Sequence, residues 1–323
     1  MDDIFWLTSQ SVFGAMMRIF FIMLIAGLLV RKKIITTEQI AALSKVTVYV
    51  LLPSLVFSNN VVGFHPEDDP NWWVLPLLGA GMTFVGLGFA AVLFLPDWKK
   101  NKDMLPMSSM QNAAYLVLPI VQILYPEKFT AFALYVFLYV IGANPIIWSI
   151  GKVLNASGQA DSVGFKATDF LTPPLIVNVI SILIVLLSIQ QFIPGVVLDS
   201  AQMLGEATIP IATFILGATL GGISFRKWPS LANILRVLSV KYLILPSLTI
   251  LAVYYLEIYK TNPLLADFLV IQSAAAPATA IILQVKTYGG NEQKIGGMML
   301  ITYVVCLFAL PLWMAYWKYL SLL

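Results

Sequence analysis

Apolar and polar positions along this chain fall into long blocks, with no short-period alternation. Apolar runs of about 20 residues recur, each long enough as a helix to cross a hydrocarbon layer of ~30 Å. Runs near 11–31, 38–60, 72–95, 104–124, 128–152, 170–192, 200–222, 231–257, 265–286 and 294–318 predict ten spans. The ten-residue alternating strands of a membrane barrel are absent from the pattern. The first run is long and is followed by no small-residue cleavage site, so it reads as a retained span.

Composition agrees with the pattern. The chain of 323 residues is 59% hydrophobic and 11% charged, with a mean hydropathy of +0.88. These values exclude a soluble domain and make the lipid bilayer its surroundings. The net charge of +3 is no nucleic-acid signal, and its distribution is more informative than its size. Taken alternately, the loops put Arg31, Lys32, Lys33, Lys99, Lys100, Lys102, Lys152, Lys166, Arg226, Lys227, Lys286 and Lys294 on one side. The other side has Lys128, Lys260 and Lys318, with the acidic runs Asp2-Asp3 and Glu67-Asp68-Asp69. The positive-inside rule then predicts a multi-pass protein of the cell's plasma (inner) membrane with both termini outside.

Two of the spans carry the same signature. One reads Gln111-Asn112-Ala113-Ala114, then Pro119 and Gln122; the other reads Gln272-Ser273-Ala274-Ala275, then Pro277 and Gln284. Leu52-Pro53 is matched by Ile209-Pro210, and Pro145-x6-Lys152 by Pro311-x6-Lys318. Five spans per half invert the second half relative to the first, as in the inverted repeats of secondary transporters. The expected organisation is a first repeat over 1–152, a cytoplasmic linker over 153–169 and a second repeat over 170–323.

Amides, small residues and prolines in mid-span predict broken helices, which membranes accommodate only around a cavity or inside protein. Proline removes a backbone donor and crowds the preceding turn, opening the helix at Pro119 and Pro277. The N-termini so exposed carry partial positive charge and suit an anion. Asn112 is the first candidate for the substrate; Gln111, Gln122, Gln272, Ser273 and Thr279 are the second tier, with interhelical packing as the alternative for each. Arg18, Lys45, Glu206, Arg236 and Lys241 are the ionisable residues expected within spans, and such residues default to a functional reading. Glu206 is the carboxylate expected in a helix core, either titrating in a proton cycle or paired with Lys241. Gln284 is a further candidate for coupling or ion binding.

An enzyme reading has little to stand on. His65 is the single histidine, so no second imidazole can join it around a metal. Cys306 is the single cysteine, which excludes an intramolecular disulfide and predicts a buried, inert thiol. There is no phosphate-binding glycine loop and no paired intramembrane aspartate. No cofactor is expected, although sodium held by amides and carbonyls remains open.

At the broken segments the chain resembles the auxin efflux carrier family, which includes the plant PIN-FORMED exporters and bacterial organic-acid permeases. The resemblance rests on Asn112-x6-Pro119, on Ala276-Pro277-Ala-Thr279 followed by Lys286-Thr-Tyr288-Gly289, on Leu52-Pro53-Ser-Leu-Val-Phe57, and on Ala309-Leu-Pro311-Leu. It implies an all-α membrane fold of ten helices in a five-plus-five inverted repeat, similar to bile-acid symporters and sodium/proton antiporters, with helices 4 and 9 broken and crossing at the site. It further implies a small organic carboxylate substrate held near Asn112, an alternating-access mechanism and a homodimer. Gln111 stands where plant members place a proline, and the plants' long hydrophilic central loop is missing, as in a compact bacterial or archaeal member. The expected function is efflux of an organic anion. The rivals are sodium- or proton-coupled uptake of a dicarboxylate, and a membrane sensor that binds its ligand without moving it.

Overall fold

A computed structural model describes residues 2–68, 70–156, 171–223 and 228–322. Among these the chain is helical without a strand. Seven helices are long and apolar enough to cross a membrane: α1 (Asp2–Arg31), α2 (Thr37–Gly63), α3 (Val74–Asn101), α6 (Pro126–Asn155), α8 (Gly195–Gly221), α9 (Leu231–Tyr255) and α12 (Glu292–Ser321). Three shorter apolar helices are α5 (Ala113–Leu124), α7 (Pro173–Leu186) and α10 (Pro263–Ser273). The short α4 (Met104–Ser109) precedes α5, and α11 (Ala280–Tyr288) follows α10. The runs expected over 104–124 and 265–286 are therefore each two helices with a gap. The run expected over 170–192 is helical only over Pro173–Leu186. Of the expected linker, 157–169 lie outside the described residues.

Prolines shape several of these helices. A proline ring clashes with the carbonyl four residues back and leaves it without a donor. A wider turn of π type relieves both problems, and one directly precedes Pro53 (Thr47–Leu51), Pro119 (Ala113–Val117) and Pro246 (Ser239–Ile244). Pro145 and Pro311 lie within continuous helices.

Small residues set the closest packing. An added Cβ on Gly217 would come within 2.2 Å of Met23 Cα, and one on Gly221 within 2.3 Å of Gly27 Cα, so α1 and α8 touch backbone to backbone. The same holds between α3 and α6, where a Cβ on Gly79 would meet the Tyr139 carbonyl oxygen at 2.2 Å. Helix α12 ties the two broken segments together at its ends. Lys294 near its start pairs with Asp103 at 2.6 Å, just before α4, and Lys318 near its end pairs with Asp267 of α10 at 2.6 Å.

Candidate functional site

The two gaps lie against each other. Met110 leaves α4 in extended conformation, and Asn112, at φ −86° and ψ 82°, opens α5. On the other side α10 ends at Ser273, followed by the fully buried Ala274, Ala275 and Ala276. Two backbone bonds join the gaps: the Asn112 N–H donates to the Ala276 carbonyl at 2.8 Å, and the Ala278 N–H to the Met110 carbonyl at 3.0 Å. Gln111 and Pro277 face each other between these bonds as an isolated antiparallel bridge. Their own backbone groups make no bond across such a pair, so a proline, which has no N–H to give, fits there at no cost.

Asn112 holds this junction in place. Its Oδ1 accepts from the Tyr115 N–H at 3.1 Å, capping α5. Its Nδ2 donates to the Tyr303 hydroxyl at 2.8 Å, which in turn donates to the Pro277 carbonyl at 3.0 Å. Both ends of the amide are thus engaged with protein. The second Nδ2 hydrogen takes no part in these bonds and faces the same region as the first N–H groups of α5, at Ala113 and Ala114, which have no carbonyl one turn back to receive them.

A cavity of about 400 Å³ lies over the junction. Gln111, Asn112, Ala113, Ala114, Ala278 and Thr279 form its inner wall. Helices α2, α7 and α8 supply the facing wall, among them Leu52, Asn178 and Leu216. Beside the end of α1 that carries Arg31, the lining includes Val30 and Gly222 together with Thr37 and Lys286, both exposed. Among the described residues Lys286 is the single charged one in the lining, which is otherwise dominated by aliphatic and aromatic side chains. Few polar groups in an apolar concavity is the usual make-up of a site for an organic molecule.

The residues expected from sequence are distributed unevenly. Gln111, Asn112 and Thr279 line the cavity. Pro119 is buried one turn into α5 and Pro277 is in the bridge; both shape the backbone without lining the cavity. The Ser273 hydroxyl donates back to the Val270 carbonyl at 2.8 Å, and Ser109 likewise to Leu105 at 2.9 Å. Gln272 is fully buried with neither end of its amide bonded.

Three expectations need correction. Gln122 is exposed near the far end of α5, since the helix rotates it away from the junction. Gln284 is spent on packing: its Nε2 donates to the Ile147 carbonyl at 2.8 Å and its Oε1 accepts from Asn155 Nδ2 at 2.8 Å, which fastens α11 to α6. Glu206 is exposed, whereas Lys241 is wholly buried with no hydrogen-bond partner for its Nζ, so the expected pair does not form.

Among the described residues the carboxylate that is buried in a helix is Asp267, which sequence reasoning passed over. It accepts from Tyr125 Oη at 2.9 Å, Trp317 Nε1 at 3.0 Å and Lys318 Nζ at 2.6 Å, joining the end of α5, the start of α10 and the end of α12. A charge inside an apolar run followed by Pro311-x6-Lys318 was the available signal. Arg236 likewise finds a carboxylate, Asp97, at 2.8 Å. Asn144 and Asn178 also line the cavity; each is an amide within an apolar helix, the same signal that singled out Asn112.

Comparison with known proteins places this architecture in context. The family described as membrane transport protein matches residues 11–314. An uncharacterized transporter of Methanocaldococcus jannaschii is 22% identical over 289 residues, covering 87% of this chain and 90% of that protein. PIN-LIKES 5 of Arabidopsis thaliana is 23% identical over 388 aligned residues, covering 96% of this chain and 97% of the plant protein. PIN-LIKES 3 of the same plant is 28% identical over 125 residues, which span 38% of this chain and 32% of that protein.

Proposed function

The chain belongs to the membrane transport protein family, that of the auxin efflux carriers, and from this premise we propose that it exports organic carboxylate anions by alternating access. The observation that carries the reading is the cavity over the joined breaks, with Lys286 as the one charged lining residue among those described and the start of α5 at its inner wall. An anion entering past Lys286 would place its carboxylate against the free N–H groups at Ala113 and Ala114, where the helix dipole favours negative charge. Asn112 keeps that helix end in position. The apolar remainder of the lining suits a monocarboxylate with a hydrophobic body. A dicarboxylate would need a second set of donors, which disfavours the uptake reading.

In this reading the short helices complete ten spans: α4 with α5 makes the fourth, α7 the sixth, and α10 with α11 the ninth. The halves are inverted repeats, both termini face outward, and the working form is a homodimer in the plasma membrane. The bundle holding the breaks moves against α1, α2, α7 and α8, exposing the junction to each side in turn.

The driving force needs no coupling ion. One charge crossing 100 mV is worth ~2.3 kcal/mol, about a fifty-fold concentration ratio at equilibrium. Proteoliposomes loaded with a panel of radiolabelled carboxylates, with an imposed potential negative inside, test this. Efflux that follows the potential and ignores sodium and pH gradients is expected. Binding without flux would mark a sensor, and flux that requires sodium or protons would mark a coupled permease.

A further inference from the structure

Beside the joined breaks Gln111, Tyr139 and Gln272 form a small polar cluster in which unpaired donors outnumber unpaired acceptors. Gln111 contributes to the cavity wall, yet its Nε2 is buried and without a partner. Gln272, fully buried, has neither Nε2 nor Oε1 bonded. Tyr139 of α6 stands between them. Its hydroxyl lies 3.4 Å from both Gln111 Oε1 and Met82 Sδ, sharing one hydrogen between them, and also faces the Gln272 amide. Its ring packs edge-on against Phe268, one turn before Gln272, with centroids 5.6 Å apart. Thr83 Oγ1, the other hydroxyl nearby, is already committed to the Gly79 carbonyl at 2.8 Å.

Buried amide hydrogens are rarely left unpaired, and an unpaired group in a native structure calls for an unseen partner. Here two NH2 groups, one from each copy of the repeated signature, lack an acceptor around the Tyr139 hydroxyl. A cation would find one unpaired oxygen there, Gln272 Oε1, against two unpaired NH2 groups. An anion accepts from both, and the Tyr139 hydroxyl can serve as a third donor or turn to Gln272 Oε1.

We propose that Gln111, Tyr139 and Gln272 form an occluded subsite for a small anionic head. Gln111 belongs to both the cavity and the cluster, so a carboxylate can pass from one to the other by rotation of a single side chain. In the alternate access state the cluster becomes the inner wall of the opposite cavity, with Gln272 taking the place that Gln111 has now. The carboxylate arm of this proposal rests on the transport reading above. A halide could occupy the same donors, and that arm does not.

The test is benzoate binding to the purified full-length protein by calorimetry in gluconate buffer, repeated with added sodium chloride, with thermal unfolding measured in parallel. For the wild type, benzoate binds, chloride competes with it, and chloride raises the melting temperature. Gln272→Met is expected to weaken benzoate binding at least about ten-fold, the size of a lost hydrogen bond to a charged group. It should also abolish both chloride effects. Tyr139→Phe, which removes only a hydroxyl and keeps the ring on Phe268, is expected to weaken binding about three-fold and carries the test if Gln272→Met does not fold. Wild-type benzoate affinity and chloride response in Gln272→Met and Gln111→Met would overturn the proposal and leave the cluster to a buried water. So would a wild type that responds to neither anion. A wild type that ignores benzoate but loses its chloride stabilisation in Gln272→Met would uphold the subsite and sink the carboxylate reading.

Discussion

The gap between α4 and α5 is made by a side chain, whereas the gap between α10 and α11 is made by backbone. In the first, Asn112 caps the new helix and ties itself to Tyr303, with no proline at the gap itself. In the second, three buried alanines and Pro277 do the work: proline disfavours a helical conformation in the residue before it, and alanine lets the backbones approach. Segments that match in sequence therefore reach the same junction by different chemistry. The lesson concerns where polar capacity is consumed. The first gap commits Asn112 to structure and leaves helix N–H groups and the Gln111 Nε2 for a ligand. The second spends nothing, and its glutamine amide stays free.

Removing the side chain that makes the first gap should have the largest effect. Asn112→Ala strips the cap from α5 and leaves the buried Tyr303 hydroxyl without its donor. A loss of about 3 kcal/mol in stability is expected, with carboxylate flux reduced at least about ten-fold; unfolding and proteoliposome assays read the two separately. Intact flux would mean that the helix end needs no cap and that the two gaps are not so different. The second gap is better attacked through its support. Asp267→Asn leaves Lys318 facing a neutral amide, at a cost of about 2 kcal/mol, less than for a fully buried pair because Lys318 is partly exposed to water. Thermal unfolding should show the drop, while a Kd for benzoate changed no more than about two-fold would show that the clamp supports the helices without touching the ligand. The smallest effect is expected at the cavity rim. Lys286→Gln should raise KM about three-fold at low salt, with the difference fading near 1 M salt, where the screening length falls to about 3 Å. A KM change that persists at high salt would place Lys286 in direct contact with the substrate.

Much of this was legible before the structure. Pro277 and the alanines around it announced a break because their effect on helix geometry is local. The block pattern announced the seven long membrane-crossing helices for the same reason. Asn112 stands out in the sequence as a candidate for the substrate; its use as a cap depends on Tyr115 three residues on and on Tyr303 from a distant helix. Glu206 and Lys241 read as partners in the sequence because both fall in apolar runs. Their helices turn them to different surroundings, one to the exterior and one to a sealed interior. Asp267 went unnoticed because three of its contacts come from α5 and α12, far away in the chain.

By itself the sequence determined that this chain lives in a bilayer, where its helices run, and where two of them must break. Those properties follow from hydrophobicity and from proline and small-residue backbone chemistry, which act over one or two turns. Only the tertiary structure decided that the breaks bond to each other, that Asn112 is spent on their junction, and that Gln111, Tyr139 and Gln272 converge on one buried place. Whether a polar atom is free or engaged depends on which helices meet and how each is rotated, and packing across the whole bundle sets both.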